Sequence, residues 1–149
     1  MLPDLLISVA RTGPVEVPLP RYQTSGAAGM DLHAALPESV TLAPLGRAKV
    51  PTGIRVAIPE SFEGQVRPRS GLAARTGLTV LNSPGTIDSD YRGEIQVLLV
   101  NLSDTPVTVA PFERIAQLVI APVARAELVA VPALEDTERG DGGYGSTGT

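Results

Sequence analysis

Proline and glycine interrupt this chain too often for long helices. They hold 29 of its 149 positions, 14 Pro and 15 Gly. Each either removes a backbone donor or loosens the chain. Few stretches of helical length survive, which argues against an all-helical bundle. Between the interruptions lie short apolar and β-branched runs, at 5–9, 15–19, 40–42, 47–50, 54–58, 65–67, 78–81, 94–100, 107–109, 115–120 and 127–131. Turn signals separate them at 44–46 (Pro-Leu-Gly), 51–53 (Pro-Thr-Gly) and 82–85 (Asn-Ser-Pro-Gly). Many short strands joined by Gly/Pro turns predict an all-β sandwich, barrel or jelly roll. A length of 149 residues suits one domain that buries a core without disulfides or a structural metal.

Two segments depart from the β pattern. Residues 70–77, Ser-Gly-Leu-Ala-Ala-Arg-Thr-Gly, predict one or two turns of helix with Ser70 as N-cap and Gly77 as the stop. The end of the chain, 135–149, holds five Gly together with Ser146, Thr147 and Thr149, and no apolar run. We therefore expect a β domain over 1–134 and a mobile arm over 135–149.

Composition narrows the function. Twelve basic against sixteen acidic residues give a net charge of −4, which disfavours a general nucleic-acid or anionic-membrane surface. A small anionic ligand needs only local positive groups, and eleven of the twelve basic residues are Arg, suited to bidentate phosphate contacts. Five aromatics and no Trp argue against a stacking platform for single strands. With no Cys, thiol catalysis, disulfides and Cys-based zinc sites are excluded. His33 is the only histidine, and no Ser nucleophile pattern accompanies it. No run of 18 apolar residues is present, and the first residues lack the layout of a signal peptide, so a cytoplasmic location is expected.

Five short segments carry possible chemistry, each with a plain structural reading beside it. Arg69, Ser70 and Gly71 precede or open the predicted helix, where free N–H groups suit phosphate and where a simple cap is the alternative. In 82–92 the chain turns and presents Asp88 and Asp90. Two apart, these acids share a face if the chain is extended, and they suit a general base, a divalent ion or a solvated turn. The flanking runs 78–81 and 94–100 are expected to form the two sides of a wide hairpin. Asp31, after Gly29, suits the hydration shell of a magnesium ion or a turn cap. Gln117 is polar within an apolar strand, facing either a ligand or solvent. Residues 139–148 have the composition of a phosphate cradle, with Tyr144 as a stacking lid or as part of a loose end.

In this order, AGMDLHA (28–34), PRSGLA (68–73), GTIDSDYRGEI (85–95), ERIAQLV (113–119) and RGDGGYGSTG (139–148) resemble the five motifs of the homotrimeric dUTPase family. The resemblance spans nearly the whole chain. It implies a jelly-roll-like β-barrel, a homotrimer with active sites at subunit interfaces, and hydrolysis of dUTP to dUMP and diphosphate. That reaction limits uracil in DNA and supplies dUMP. By the same resemblance Asp88 activates the attacking water. Arg69, Ser70, Gly71 and Gln117 hold phosphates, and Asp31 reaches Mg2+ through water. Asn82 and the backbone of Gly85, Thr86, Ile87 and Asp88 read uracil, with Gln96 as a further candidate. Tyr91 lies against the deoxyribose. Arg139, Gly145, Ser146 and Thr147 grip the outer phosphates while Tyr144, commonly Phe in the family, stacks on the base.

Two other functions compete. A dCTP deaminase shares the fold and helix motif, but its family carries a catalytic Glu five residues beyond the Gly of the third motif, where this chain has Leu98. A non-catalytic trimeric nucleotide-binding module would not need an acid at 88, and Asp88 is there.

Overall fold

Strands too short to stand alone are held here by antiparallel pairing between segments far apart in the chain. The computed structural model describes residues 5–145 and Gly148; the expected site residues Ser146 and Thr147 lie outside that set. In chain order the elements are β1 (Ser8–Arg11), β2 (Met30–His33), β3 (Val40–Leu42), β4 (Arg47–Pro51), β5 (Ile54–Ala57), β6 (Phe62–Arg67), α1 (Ser70–Thr76), β7 (Leu78–Val80), β8 (Gly85–Ile87), β9 (Gln96–Asn101), β10 (Val107–Val109) and β11 (Arg114–Pro122). They form sheets ordered β2-β11-β6-β8, β4-β9-β7, β1-β5 and β3-β10. Every pairing is antiparallel. The result is the expected all-β, jelly-roll-like fold with one short helix.

The core is aliphatic. Leu32, Ile54, Leu78, Ile95, Leu99 and Ile115 are fully buried; the strands turn five of them inward, while Ile95 stands just before β9. Gly64 on β6 has no room for a side chain: a Cβ there would lie 2.9 Å from Ile58 Cδ1 and 3.2 Å from both Ile87 Cβ and Leu118 Cδ1. This closeness lets β8 pair with β6, Gly64 facing Ile87. Two buried polar side chains are satisfied. Asn101 Nδ2 donates to Leu42 O (3.0 Å) and Thr105 O (2.8 Å), and Thr52 Oγ1 donates to Ile95 O at 2.6 Å. They hold the loop ends at fixed places on the barrel.

Several local expectations need correction. The helix begins at Ser70, with Arg69 as its N-cap in an extended conformation and no side-chain cap bond. Ser70 is thus the first helical residue rather than the cap. The chain enters through Pro68, and the carbonyl of Arg69 accepts the first helical bond, from Ala73 N at 3.0 Å. Gly77 ends the helix as expected, in the left-handed conformation at φ 72°. Residues 15–19 form no strand, because Pro18 and its neighbours Pro14 and Pro20 lack the N–H a ladder needs. The run at 127–131 has strand-like composition but no strand partner among the described residues; Leu128 is 95 % exposed and Val129 74 %. The run at 5–9 becomes a strand only from Ser8. No helix of the described residues is long and apolar enough to cross a membrane.

Candidate active site

The wide hairpin forms as expected, with β7 and β9 pairing Leu78 to Asn101 and Val80 to Leu99. Residues 81–95 between them include β8, which pairs with β6, and with Val66, Gln96 and Leu98 they line a cavity of about 200 Å³. That is below the roughly 300 Å³ at which sites for whole drug-sized ligands begin, so it suits a part of a nucleotide. Seven of the sequence-predicted residues line it: Asn82, Gly85, Thr86, Ile87, Asp88, Tyr91 and Gln96. Sequence reasoning missed Val66, Glu94 and Ile95 on the same walls, and it used Leu98 only as the position of a missing acid.

The hairpin is braced from within and from outside. Tyr91 Oη donates to Glu94 O at 2.9 Å, and the phenol lies over Gly93, where a Cβ would come within 2.3 Å of the hydroxyl oxygen. Glu94 Oε1 accepts the Gly53 N–H at 2.9 Å, and Ile95 N donates to Ile54 O at 2.9 Å. Gly85 packs against Asn82 Nδ2 and Val66. Such a backbone presents its N–H and C=O groups at fixed points, which is what discrimination between pyrimidines requires. The extended chain that would align Asp88 with Asp90 is not formed. Tyr91 N bonds back to Asp88 O at 3.1 Å, so the segment is a turn rather than an extended chain. Asp88 is exposed and lines the cavity.

A second cluster forms where β2, β11 and the start of α1 meet. Asp31 Oδ1 accepts from Arg69 Nε at 3.0 Å, and Asp31 Oδ2 from Arg114 Nη1 at 3.3 Å. Arg69 Nη1 also donates to Arg114 O at 3.2 Å. Gln117 Nε2 donates to Pro68 O at 3.0 Å, and its Oε1 sits where a Cβ on Gly29 would collide, 2.6 Å away. Gln117, Ser70 and Gly29 border an open recess of about 710 Å³, with Arg67, Pro68 and Pro84. Gly71 lies beside Arg75, whose Nη1 is 3.1 Å from a Cβ position there. Within one chain, then, Ser70 and Gln117, expected at phosphate, and the residues expected at uracil and water line separate recesses.

His33 borders the ion-pair cluster. Its Nδ1 is buried without a hydrogen-bond partner. Burial pushes its pKa below the ordinary imidazole value; Asp31 opposes the shift, while Arg114, Arg69 and Arg21 add to it.

Among the described residues no three acidic or histidine side chains gather to cage a metal. Both oxygens of Asp31 already accept guanidinium N–H groups. This donor set fits a hard ion that arrives on a polyphosphate and keeps its waters, and it does not fit a resident ion with an all-protein shell.

Among the described residues, those of the arm line neither recess within the chain. Arg139 Nε donates to Gly142 O at 2.9 Å, while Tyr144 and Gly145 are exposed.

A family model described as dUTPase matches residues 15–148. The deoxyuridine 5'-triphosphate nucleotidohydrolase of Beijerinckia indica is 60 % identical over 132 residues, 87 % of this chain and 82 % of the relative. Its namesake from Fusobacterium nucleatum is 56 % identical over 132 residues, 89 % and 90 % of the two chains. The solved dUTPase of Staphylococcus bacteriophage 80alpha with dUpNHpp superposes with a TM-score of 0.86 at 28 % identity, covering 97 % of this chain and 99 % of that one.

Proposed function

The chain belongs to the dUTPase family and hydrolyses dUTP, and we propose that Asp88 is the base that turns a water molecule on the α-phosphorus. The carboxylate takes a proton from the water as its oxygen bonds to that phosphorus. The bond from the α-phosphorus to the bridging oxygen of the β-phosphate breaks on the far side, and diphosphate leaves. The observation that carries this reading is the cavity of about 200 Å³ shared by Asp88, Asn82, Tyr91 and the backbone of Gly85 to Ile87. There, uracil meets fixed backbone groups, and the Tyr91 ring, tied to Glu94, closes the space a 2′-hydroxyl would need. Leu98 in the same wall is apolar, which removes the acid a deaminase would need.

Arg69, Ser70, Gly71 and Gln117 hold the phosphate chain in this proposal. Magnesium, bound by the triphosphate and reached by Asp31 through water, supplies charge neutralisation on the phosphate oxygens. The separation of the two recesses within one chain supports assembly of each site from different copies, as a homotrimer does. Arg139, Tyr144, Gly145, Ser146 and Thr147 of a neighbouring arm then close over the substrate and exclude bulk water. A cytoplasmic location belongs to the same proposal.

The test is product analysis with dUTP, dCTP and dTTP in the presence of magnesium, assaying diphosphate and ammonia separately. Diphosphate from dUTP, with no ammonia from dCTP, is the expected result. Ammonia release would reassign the reaction.

A further inference from the structure

The turn that begins at Asp88 is tied together by the side chain of Arg92. β8 ends at Ile87, and the pairing of Ile87 with Gly64 of β6 fixes the backbone on one side of Asp88. Beyond Asp88 the chain turns, and Tyr91 N donates to Asp88 O at 3.1 Å. Arg92 then folds back over the turn. Its Nη1 donates to Ser89 O at 2.6 Å and to Tyr91 O at 2.9 Å. Each Nη of a guanidinium carries two N–H groups in a fixed plane, so a single nitrogen spans both carbonyls. The carbonyls of Asp88, Ser89 and Tyr91 thus all accept bonds from within the turn.

Arg92 is exposed and has two carboxylates close by in the sequence, Asp88 and Asp90. None of the ion pairs among the described residues joins it to either one. Its bonds go to main-chain oxygens instead. For Asp88 this matters chemically, because a guanidinium paired with the carboxylate would stabilise the charged form and weaken it as a base. Asp88 is itself exposed and outside those ion pairs, so its carboxylate is placed by the backbone beneath it rather than by a cationic partner. The brace also continues into the barrel. Tyr91, whose carbonyl Arg92 holds, donates through Oη to Glu94 O at 2.9 Å, and Glu94 Oε1 accepts the Gly53 N–H at 2.9 Å.

We propose that Arg92 is a positioning residue that acts through the 88–91 turn, holding the Asp88 carboxylate in the direction of the attacking water without itself touching the substrate. This rests on the reading of Asp88 as the base and deepens it. A base must lie within hydrogen-bond reach of the proton it takes, and a misplacement of about 1 Å costs on the order of 100-fold in rate. Loosening the turn therefore falls on the chemical step. Affinity is spared, because in that reading uracil meets Gly85 to Ile87, which the β6–β8 ladder holds independently of Arg92.

The experiment measures kcat and KM for dUTP on the full-length protein, with binding of α,β-imido-dUTP by calorimetry and the melting temperature recorded beside them. The variants are Arg92→Ala, Arg92→Lys, Asp88→Asn and the double variant of Arg92→Ala with Asp88→Asn. In Arg92→Ala, kcat should fall by about ten- to 100-fold, while affinity for the analogue and the melting temperature stay close to those of the parent. Arg92→Lys should recover part of kcat, since an ammonium has donors enough for both carbonyls. On the Asp88→Asn background Arg92→Ala should add little further loss, because a residue that acts only through Asp88 then has nothing to position. Parental kcat in Arg92→Ala would overturn the proposal. So would a loss of affinity with kcat retained, which would make Arg92 a substrate contact through its remaining N–H groups. Fully additive losses in the double variant would overturn it as well, as would a collapse of the melting temperature in both Arg92 variants. Parental turnover by Asp88→Asn alone would instead defeat the reading of Asp88 on which the proposal rests.

Discussion

Glu94 and Gly53, 41 residues apart in the chain, are joined by a hydrogen bond of 2.9 Å from the glycine N–H to the glutamate Oε1. Gly53 lies in the turn between β4 and β5 at φ 71°, a conformation that costs glycine little. The bond fastens the hairpin between β7 and β9 to the β4–β5 turn, and Glu94 lines the cavity. Glu94→Ala leaves the half-buried N–H unpaired, and we expect a loss of about 1–3 kcal/mol in stability, read by denaturant unfolding. A mobile hairpin should also raise KM for dUTP. Unfolding that matches the parent would show that the tether is dispensable.

Gly93 sets the position of Tyr91. A Cβ at 93 would lie 2.3 Å from Tyr91 Oη and 2.5 Å from its ζ carbon, so Gly93→Ala must displace the phenol and break its bond to Glu94 O. The expected outcome is a fall of about ten-fold or more in the preference for dUTP over UTP, measured as the ratio of kcat/KM values. An unaltered ratio would remove Tyr91 from sugar selection.

His33 introduces a pH dependence of stability. Its folded-state pKa is lowered, chiefly by burial, so the unfolded chain binds more protons as the pH falls through 6.5, the ordinary imidazole value. The histidine therefore costs nothing above that value and destabilises the fold progressively below it, towards its lowered folded pKa. Asp31 faces it and moderates the effect, while Arg114, Arg69 and Arg21 reinforce it. His33→Gln should flatten the loss of stability in that window in a melting series. An equally steep loss in the variant would assign it to other groups.

Much of this was legible in the sequence where local chemistry decides the outcome. The strands Val40–Leu42 and Val107–Val109 coincide with the apolar runs at the same residues. The β7–β9 hairpin follows from two apolar runs around a turn signal, and Gly77 ends the helix because only glycine takes φ 72° cheaply. What was hidden depends on distant partners. The three-residue β8 exists because Gly64, far back on β6, leaves space for Ile87. Nothing near Arg69 announces that Asp31, 38 residues earlier, will fix it. The adjacent apolar residues Ile115 and Ala116 were a visible break in alternation, and this signal of a bulge would have drawn attention to Arg114. Conversely, the run at 127–131 has the residues of a strand, but a strand also needs a neighbour, and the described chain offers it none.

The central claim, that Asp88 activates the water, is tested most directly by Asp88→Asn, assayed for dUTP hydrolysis and, separately, for binding of α,β-imido-dUTP. The amide keeps the shape of the side chain but cannot take the proton. Turnover should fall roughly 100- to 10,000-fold, with affinity for the analogue close to that of the parent. Hydrolysis at the parental rate would contradict the account, since the carboxylate at the mouth of the hairpin cavity would then take no part in making the nucleophile.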